Sequence, residues 1–192
     1  MPRESDKRER LLGAARRLIH ERGFNQTSLA DIATAAEVPL GNVYYYFKTK
    51  QALASAVISR QAQDFAQLEQ DLAKIGDARS RIEGFLSMLL VNSAAIAAYG
   101  CPTGSLCTEL NKTSSGISNQ AEDLLQHQLD WLSEQFVALG KGEEAGELAT
   151  QMLVQLQGAS VLAHAFHDQT LLAQQIAHLR NWLNGQQASM SL

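Results

Sequence analysis

Residues 27–50 read Thr27-Ser-Leu-Ala-Asp-Ile-Ala-Thr-Ala-Ala-Glu-Val-Pro-Leu-Gly-Asn-Val-Tyr-Tyr-Tyr-Phe-Lys-Thr-Lys50, and this stretch decides the architecture. Thr27 and Ser28 open a short helix, with Asp31 placed to complete a Ser28-x-x-Asp31 capping box. That helix ends near Ala36, Glu37-Val38-Pro39 form a turn, and a third short helix spans about Leu40 to Tyr46. Ala30, Ile32, Ala33, Val38 and Val43 are apolar where the two helices must pack, and the alanines permit the close crossing of a helix-turn-helix. A longer helix from about Lys7 to Arg22 precedes them. Leu11, Leu12, Ala15, Leu18 and Ile19 recur in it at helical spacing before Gly23 stops it.

Working outward, the rest of the chain also reads as helix. The three prolines stand at Pro2, Pro39 and Pro102, strand alternation and Asn-Gly or Asp-Gly hairpins are missing, and Ala, Leu, Gln and Glu dominate. Thr49 caps a long helix running toward Ile75, where Gly76 stops it. Five more are expected over roughly 78–98, 103–112, 117–139, 144–167 and 169–184. The expected fold is all-α, about nine helices in total: an N-terminal three-helix helix-turn-helix domain over 1–50, with the start of the fourth helix to about 57, and a larger C-terminal helical bundle over 51–192.

Composition narrows the class. The 192 residues are 45% hydrophobic and 19% charged, a balance that argues against disorder. Two cysteines exclude a disulfide-stapled scaffold. No apolar run approaches the ~18–20 residues of a membrane span, and charges begin at Arg3, so a cytoplasmic protein with neither span nor secretory leader is expected. The net charge of −4 hides an asymmetry. Residues 1–50 carry nine Lys/Arg against six Asp/Glu, a net of +3, and the remainder carries seven against fourteen, a net of −7. One end of the chain suits a polyanion.

The outer face of the helix-turn-helix carries Thr27, Asn42, Tyr44, Tyr45, Lys48 and Lys50. A major groove ~12 Å wide admits such a helix. Tyr hydroxyls, the Thr27 side chain, Lys48 and Lys50 suit phosphate oxygens; Asn42 suits a base edge, and the Tyr45 ring a thymine methyl. Arg3, Lys7, Arg8 and Arg10 are placed to steer the helices onto a duplex. The competing reading makes the tyrosines core aromatics. On one helix, however, Val43 and Phe47 share a face from which Tyr44 and Tyr45 point away. Arg16 and Arg17 read as solvated helix-face charges.

In order, spacing and residue type this stretch resembles the DNA-binding signature of the TetR family of transcriptional repressors, over about residues 7–57. The resemblance implies a larger helical domain for ligand binding and dimerisation, and by motif position it makes Asn42, Tyr44, Tyr45, Tyr46 and Lys50 the DNA contacts. Pro39-Leu40 departs from the hydroxyl and basic residue of many members. The resemblance therefore carries no polar contact there, and Leu40 is read as an apolar one. The implied partners are a double-stranded DNA operator, a second copy of the chain and a small-molecule effector of unknown identity, with no membrane, no cofactor and no metal.

In the C-terminal half most apolar residues belong to a core. Asn92, Glu109, Gln155 and His164 are polar residues on apolar helices, and with Met88, Cys101, Leu106 and Trp131 they are candidates for a ligand pocket. Pro102 suits the first position of a helix, which makes Cys101 its cap beside the positive dipole end, a setting that favours thiolate and allows a sensing thiol. Cys107 lies ~9 Å further by helical rise, too far for a relaxed disulfide. His164 and His167 lack the further ligands of a metal site. Two half-sites on DNA call for a dimer. By resemblance its interface lies on the last two long helices, with Gln155, Gly158, Ala159, Leu162, Ala163, Leu171 and Leu172 as candidates. A thiol enzyme using Cys101 and a purely structural helical module are the competing classes. The first lacks a recognisable nucleophile–base set, and the second leaves the charge asymmetry unexplained.

Overall fold

A computed structural model of the chain describes residues 4–112 and 116–188, so Arg3 lies outside the described residues. The helices are α1 (Glu4–Arg22), α2 (Leu29–Ala35), α3 (Leu40–Tyr46), α4 (Lys50–Ala73), α5 (Ala78–Val91), α6 (Ser93–Tyr99), α7 (Pro102–Lys112), α8 (Ser118–Ala138), α9 (Ala145–Phe166) and α10 (Gln169–Ala188). No strand occurs among the described residues.

Local chemistry explains most of the boundaries. Ser28 and Asp31 form the expected capping box, each side chain bonding the other residue's backbone N–H. Asp77 caps α5 through Ser80 N. Thr49 Oγ1 accepts from Ala52 N at the start of α4. The α2–α3 turn is a Schellman motif: Val38 N–H reaches Ala33 O at 3.0 Å, Glu37 N–H reaches Thr34 O at 3.0 Å, and Glu37 takes the left-handed conformation at φ +52°. The helix expected over 78–98 is divided in two. Asn92 leaves the helical conformation, its side-chain amide donates to Met88 O at 2.8 Å, and its own carbonyl accepts from Ile96 N as α6 begins.

The described chain forms two compact units. The first comprises residues 1–65 and 102–124, and the second 66–101 and 125–192. Thus α7 and the start of α8 pack with the N-terminal helices. The core of the first unit buries Leu11, Leu18, Ile32, Val43, Leu53 and Val57 from its N-terminal part, and Leu106 and Leu110 from α7. The second buries Ile82, Leu86, Leu132, Phe136, Met152, Ile176 and Leu179. There Phe85 meets Trp131 with centroids 5.6 Å apart, and Phe136 meets Trp182 at 5.9 Å. Among the described residues no single helix is long and apolar enough to cross a membrane.

Candidate nucleic-acid interface

The α3 helix begins at Leu40 because Pro39, with φ −55°, opens its first turn, and Asn42 N–H bonds Pro39 O at 2.8 Å. Its two faces then separate sharply. Val43 is fully buried and Phe47, the C-cap, nearly so, anchoring the helix to the core. Tyr44 is 50% exposed and Tyr45 63% exposed. Leu40 and Lys48 share that exposure, and Asn42 and Tyr46 are half-buried. The Tyr45 ring meets Tyr46 edge-on at 5.0 Å. Side chains with donors, acceptors and π-faces therefore stand outward from a helix fixed by its other face. That is the arrangement groove recognition needs.

Two expected contacts are revised. Thr27 is 1% exposed, and its hydroxyl lies 2.8 Å from Gly23 O and 3.3 Å from Leu18 O, to which it donates. Its one proton serves the end of α1, so the side chain braces the fold instead of facing phosphate. Lys50 is also engaged. Its Nζ donates to Asn25 O at 3.1 Å and stands 4.4 Å from the Phe24 ring centroid. Burial pulls this ammonium below its ordinary pKa, and the Glu109 charge opposes that shift. Of the two lysines after α3, Lys48 is the exposed one.

Glu109 serves the same turn that Lys50 holds. Expected in a ligand pocket, it lies instead in the first unit, where its carboxylate accepts from Phe24 N at 2.7 Å and Asn25 N at 2.6 Å. The α1–α2 turn is thus clamped by α7 through two backbone N–H groups and by Lys50 through a carbonyl. Gly23 permits the approach: at φ +86°, a Cβ there would lie 2.8 Å from Glu109 Oε2. Sequence reading missed this clamp because its partners lie 84 and 85 residues apart.

The α1 arginines are mostly paired. Arg10 donates to Glu37 O at 3.1 Å and meets its carboxylate at 3.3 Å, bracing the left-handed turn residue rather than steering toward a duplex. Arg17 pairs with Glu21 at 3.2 Å, and Arg16 pairs with Asp64. Arg8 caps the Phe47 ring at 5.5 Å.

The remaining pocket candidates take several settings. Leu106 is buried in the first unit. Asn92 is exposed at the α5–α6 break. Met88 is half-buried. Gln155 accepts from Gln175 Nε2 at 2.7 Å, tying α9 to α10. His164 is exposed with Nδ1 3.3 Å from Ala97 O, and its ring lies 6.0 Å from that of His167. Cys101 is half-buried, with Gln157 Nε2 donating to its Sγ at 3.5 Å. Cys107 is buried and donates to Ala121 O. Trp131 alone of the eight lines the cleft of about 490 Å³ in the second unit.

The dimer candidates divide by face. Ala159, Ala163 and Leu172 are buried within their own unit, and Leu171 and Gln155 are half-buried. Gly158 and Leu162 are exposed. With Val154, Val161 and Phe166, all more than 60% exposed, they form an apolar stripe along α9. Its members sit at helical spacing, and Val154, Val161 and Phe166 are not among the candidates that sequence reasoning names.

A profile for bacterial regulatory proteins of the tetR family matches residues 11–57. Over 195 aligned residues the chain is 30% identical to an uncharacterised HTH-type transcriptional regulator of Mycobacterium tuberculosis, spanning 92% of this chain and 93% of that one. It is 30% identical over 123 residues to the HTH-type transcriptional repressor NemR of Escherichia coli, covering 63% of this chain but only 59% of NemR. Among solved structures, a TetR transcriptional regulator from Legionella pneumophila superposes with a TM-score of 0.82 at 26% identity, over 93% of this chain and 95% of that one. Reduced E. coli NemR superposes with a TM-score of 0.77 at 26% identity, over 92% and 96%.

Proposed function

The chain belongs to the TetR family of transcriptional regulators, DNA-binding proteins and not enzymes, and from that premise we propose that it is a dimeric repressor released from its operator by an effector bound in the second unit. Two copies meet along the α9 stripe and set two α3 helices on one face of a palindromic operator. Tyr44, Tyr45 and Asn42 read the groove, and Lys48 meets phosphate. An effector that binds more tightly to one spacing of the paired helices than to another shifts the population away from the DNA-competent state.

The observation that carries this reading is the exposure of Tyr44 and Tyr45 on a helix whose opposite face, Val43, is fully buried. A gel-shift titration on the DNA upstream of its own gene tests it. Tyr45→Ala combined with Lys48→Ala is expected to abolish specific retention, whereas full retention by that variant refutes the reading.

A second route to release, modification of the Cys101 thiol in place of reversible binding, is favoured by the partial exposure of that residue. Mass spectrometry of Cys101 and Cys107 after mild electrophile treatment, run beside operator binding, separates the two routes. Release with Cys101 unmodified rules the thiol route out.

A further inference from the structure

The cleft of the second unit lies where the last turns of α4, the first turn of α5 and the latter half of α8 come together. Its about 490 Å³ falls in the range of small-molecule sites. Three carboxylates, Glu69, Asp130 and Glu134, line it against two bases, Arg81 and His127. One base is already engaged, since His127 Nε2 lies 3.1 Å from Glu69 Oε1. Burial raises the Glu69 carboxyl above its ordinary value; His127 pulls against that shift and the neighbouring Glu134 charge adds to it. Two carboxylates crowded in a partly desolvated wall repel each other more than in water, and a further cation between them relieves that repulsion.

An independent observation points into the same cleft. Gln135 lines it and is 7% exposed; its Nε2 donates to Trp131 O at 3.2 Å, and its Oε1 is buried with no partner. On another wall residue, the Arg81 Nε–H is a buried donor without an acceptor. Buried polar atoms are as a rule satisfied, and an orphaned acceptor beside excess negative charge calls for a charged donor.

Resting on the effector-responsive reading above, we propose that this cleft binds a protonated organic amine. Its ammonium N–H groups serve Gln135 Oε1 and the Glu69 and Glu134 carboxylates. Its apolar or aromatic body lies against Trp131, and an oxygen on it accepts from Arg81 Nε. Anions fit poorly, because three carboxylates face them and His127 is committed to one. A chelated metal ion fits poorly as well: among the described residues no three His, Cys, Asp or Glu side chains converge to hold one. A quaternary ammonium keeps the charge and the aromatic contact but has no N–H for Gln135, so primary and secondary amines are preferred.

The test is isothermal titration of the full chain with three probes of matched size: tyramine, its trimethylammonium derivative and para-hydroxyphenylacetate. Tyramine is expected to bind saturably, the trimethyl derivative about ten-fold more weakly, and the carboxylate not at all. Glu134→Gln and Gln135→Leu are each expected to weaken tyramine by about ten-fold. Glu134 is exposed, so its variant carries the test even where Gln135→Leu unfolds. No saturable tyramine binding, equal binding of the carboxylate, or wild-type affinity in cooperatively folding variants overturns the proposal. A gel shift with tyramine present separates this inference from the reading it rests on. Binding without operator release upholds the amine site and refutes its role as the effector site, whereas release by another ligand with no amine bound does the reverse.

Discussion

Two carboxylates on helices, Glu109 in the first unit and Glu69 in the second, are put to opposite uses. Glu109 faces two backbone N–H groups, with the Lys50 ammonium joined to the same turn, so its charge is spent on holding α1, α2 and α7 together. Glu69 faces one histidine and a second carboxylate, with an orphaned amide oxygen on the same wall. A charge met by fixed donors in the fold is a structural charge, and one left in excess beside unmet polar atoms is open to the charged donor proposed above.

The strongest way to break this contrast is Glu109→Leu. It removes the acceptor of the part-buried Phe24 N–H and of the exposed Asn25 N–H and is expected to cost about 2–3 kcal/mol, read as a lower urea midpoint, with a matching loss of operator affinity. An unchanged midpoint would mean that water serves those N–H groups equally well.

Gly23→Ala attacks the clamp from the other side. The new Cβ would lie 2.8 Å from Glu109 Oε2 in a left-handed residue, and the expected loss is about 1–3 kcal/mol. Combined with Glu109→Leu, the two losses should sum to less than their separate values, because both act on one contact.

The contrast sharpens between two neighbouring lysines. Lys48→Ala is expected to lower the slope of log affinity against log salt by about one, as for a phosphate contact. Lys50→Ala should leave that slope unchanged and lower the thermal midpoint instead, since its Nζ holds Asn25 O. Equal salt slopes for the two variants would return Lys50 to the DNA surface.

Smaller effects belong to the α2–α3 turn and the α2 cap. Glu37→Gly removes a side chain from the left-handed position and is expected to stabilise by about 0.5–1 kcal/mol, less the exposed Arg10 pair it forfeits. At the cap, hydrogen bonds from Ser28 hold the Asp31 carboxyl below its ordinary 3.8. A depressed folded value contributes stability that is complete above the unfolded pKa and is lost as pH falls through the folded one. Hydrogen-exchange protection of α2 amides should therefore decline only below about pH 4, and Ser28→Ala should weaken that dependence.

Legibility from sequence followed range along the chain. The Ser28–Asp31 box, the Pro39 start of α3, the Thr49 cap and the opposition of Val43 and Phe47 to Tyr44 and Tyr45 depend on neighbours within four residues, and each was readable. Thr27 reads as an outward-facing hydroxyl because a buried one bonding Leu18 O and Gly23 O has the same local spacing as one that faces solvent. Asn92 reads as mid-helix because its residue type competes with the helix only when its side chain turns back on Met88 O.

The amino-acid order alone determined an all-helical chain, a helix-turn-helix between Thr27 and Phe47, and the family to which that stretch belongs, because propensity, caps and short-range periodicity act within a turn or two. Tertiary structure alone decided that Glu109 and Lys50 brace the α1–α2 turn, that α7 packs with the N-terminal helices, that α9 turns Val154, Val161 and Phe166 outward, and that Glu69, Glu134 and Gln135 share one cleft. The reason is physical: burial and charge pairing depend on which distant surfaces meet, and the pattern of one helix does not specify its partner.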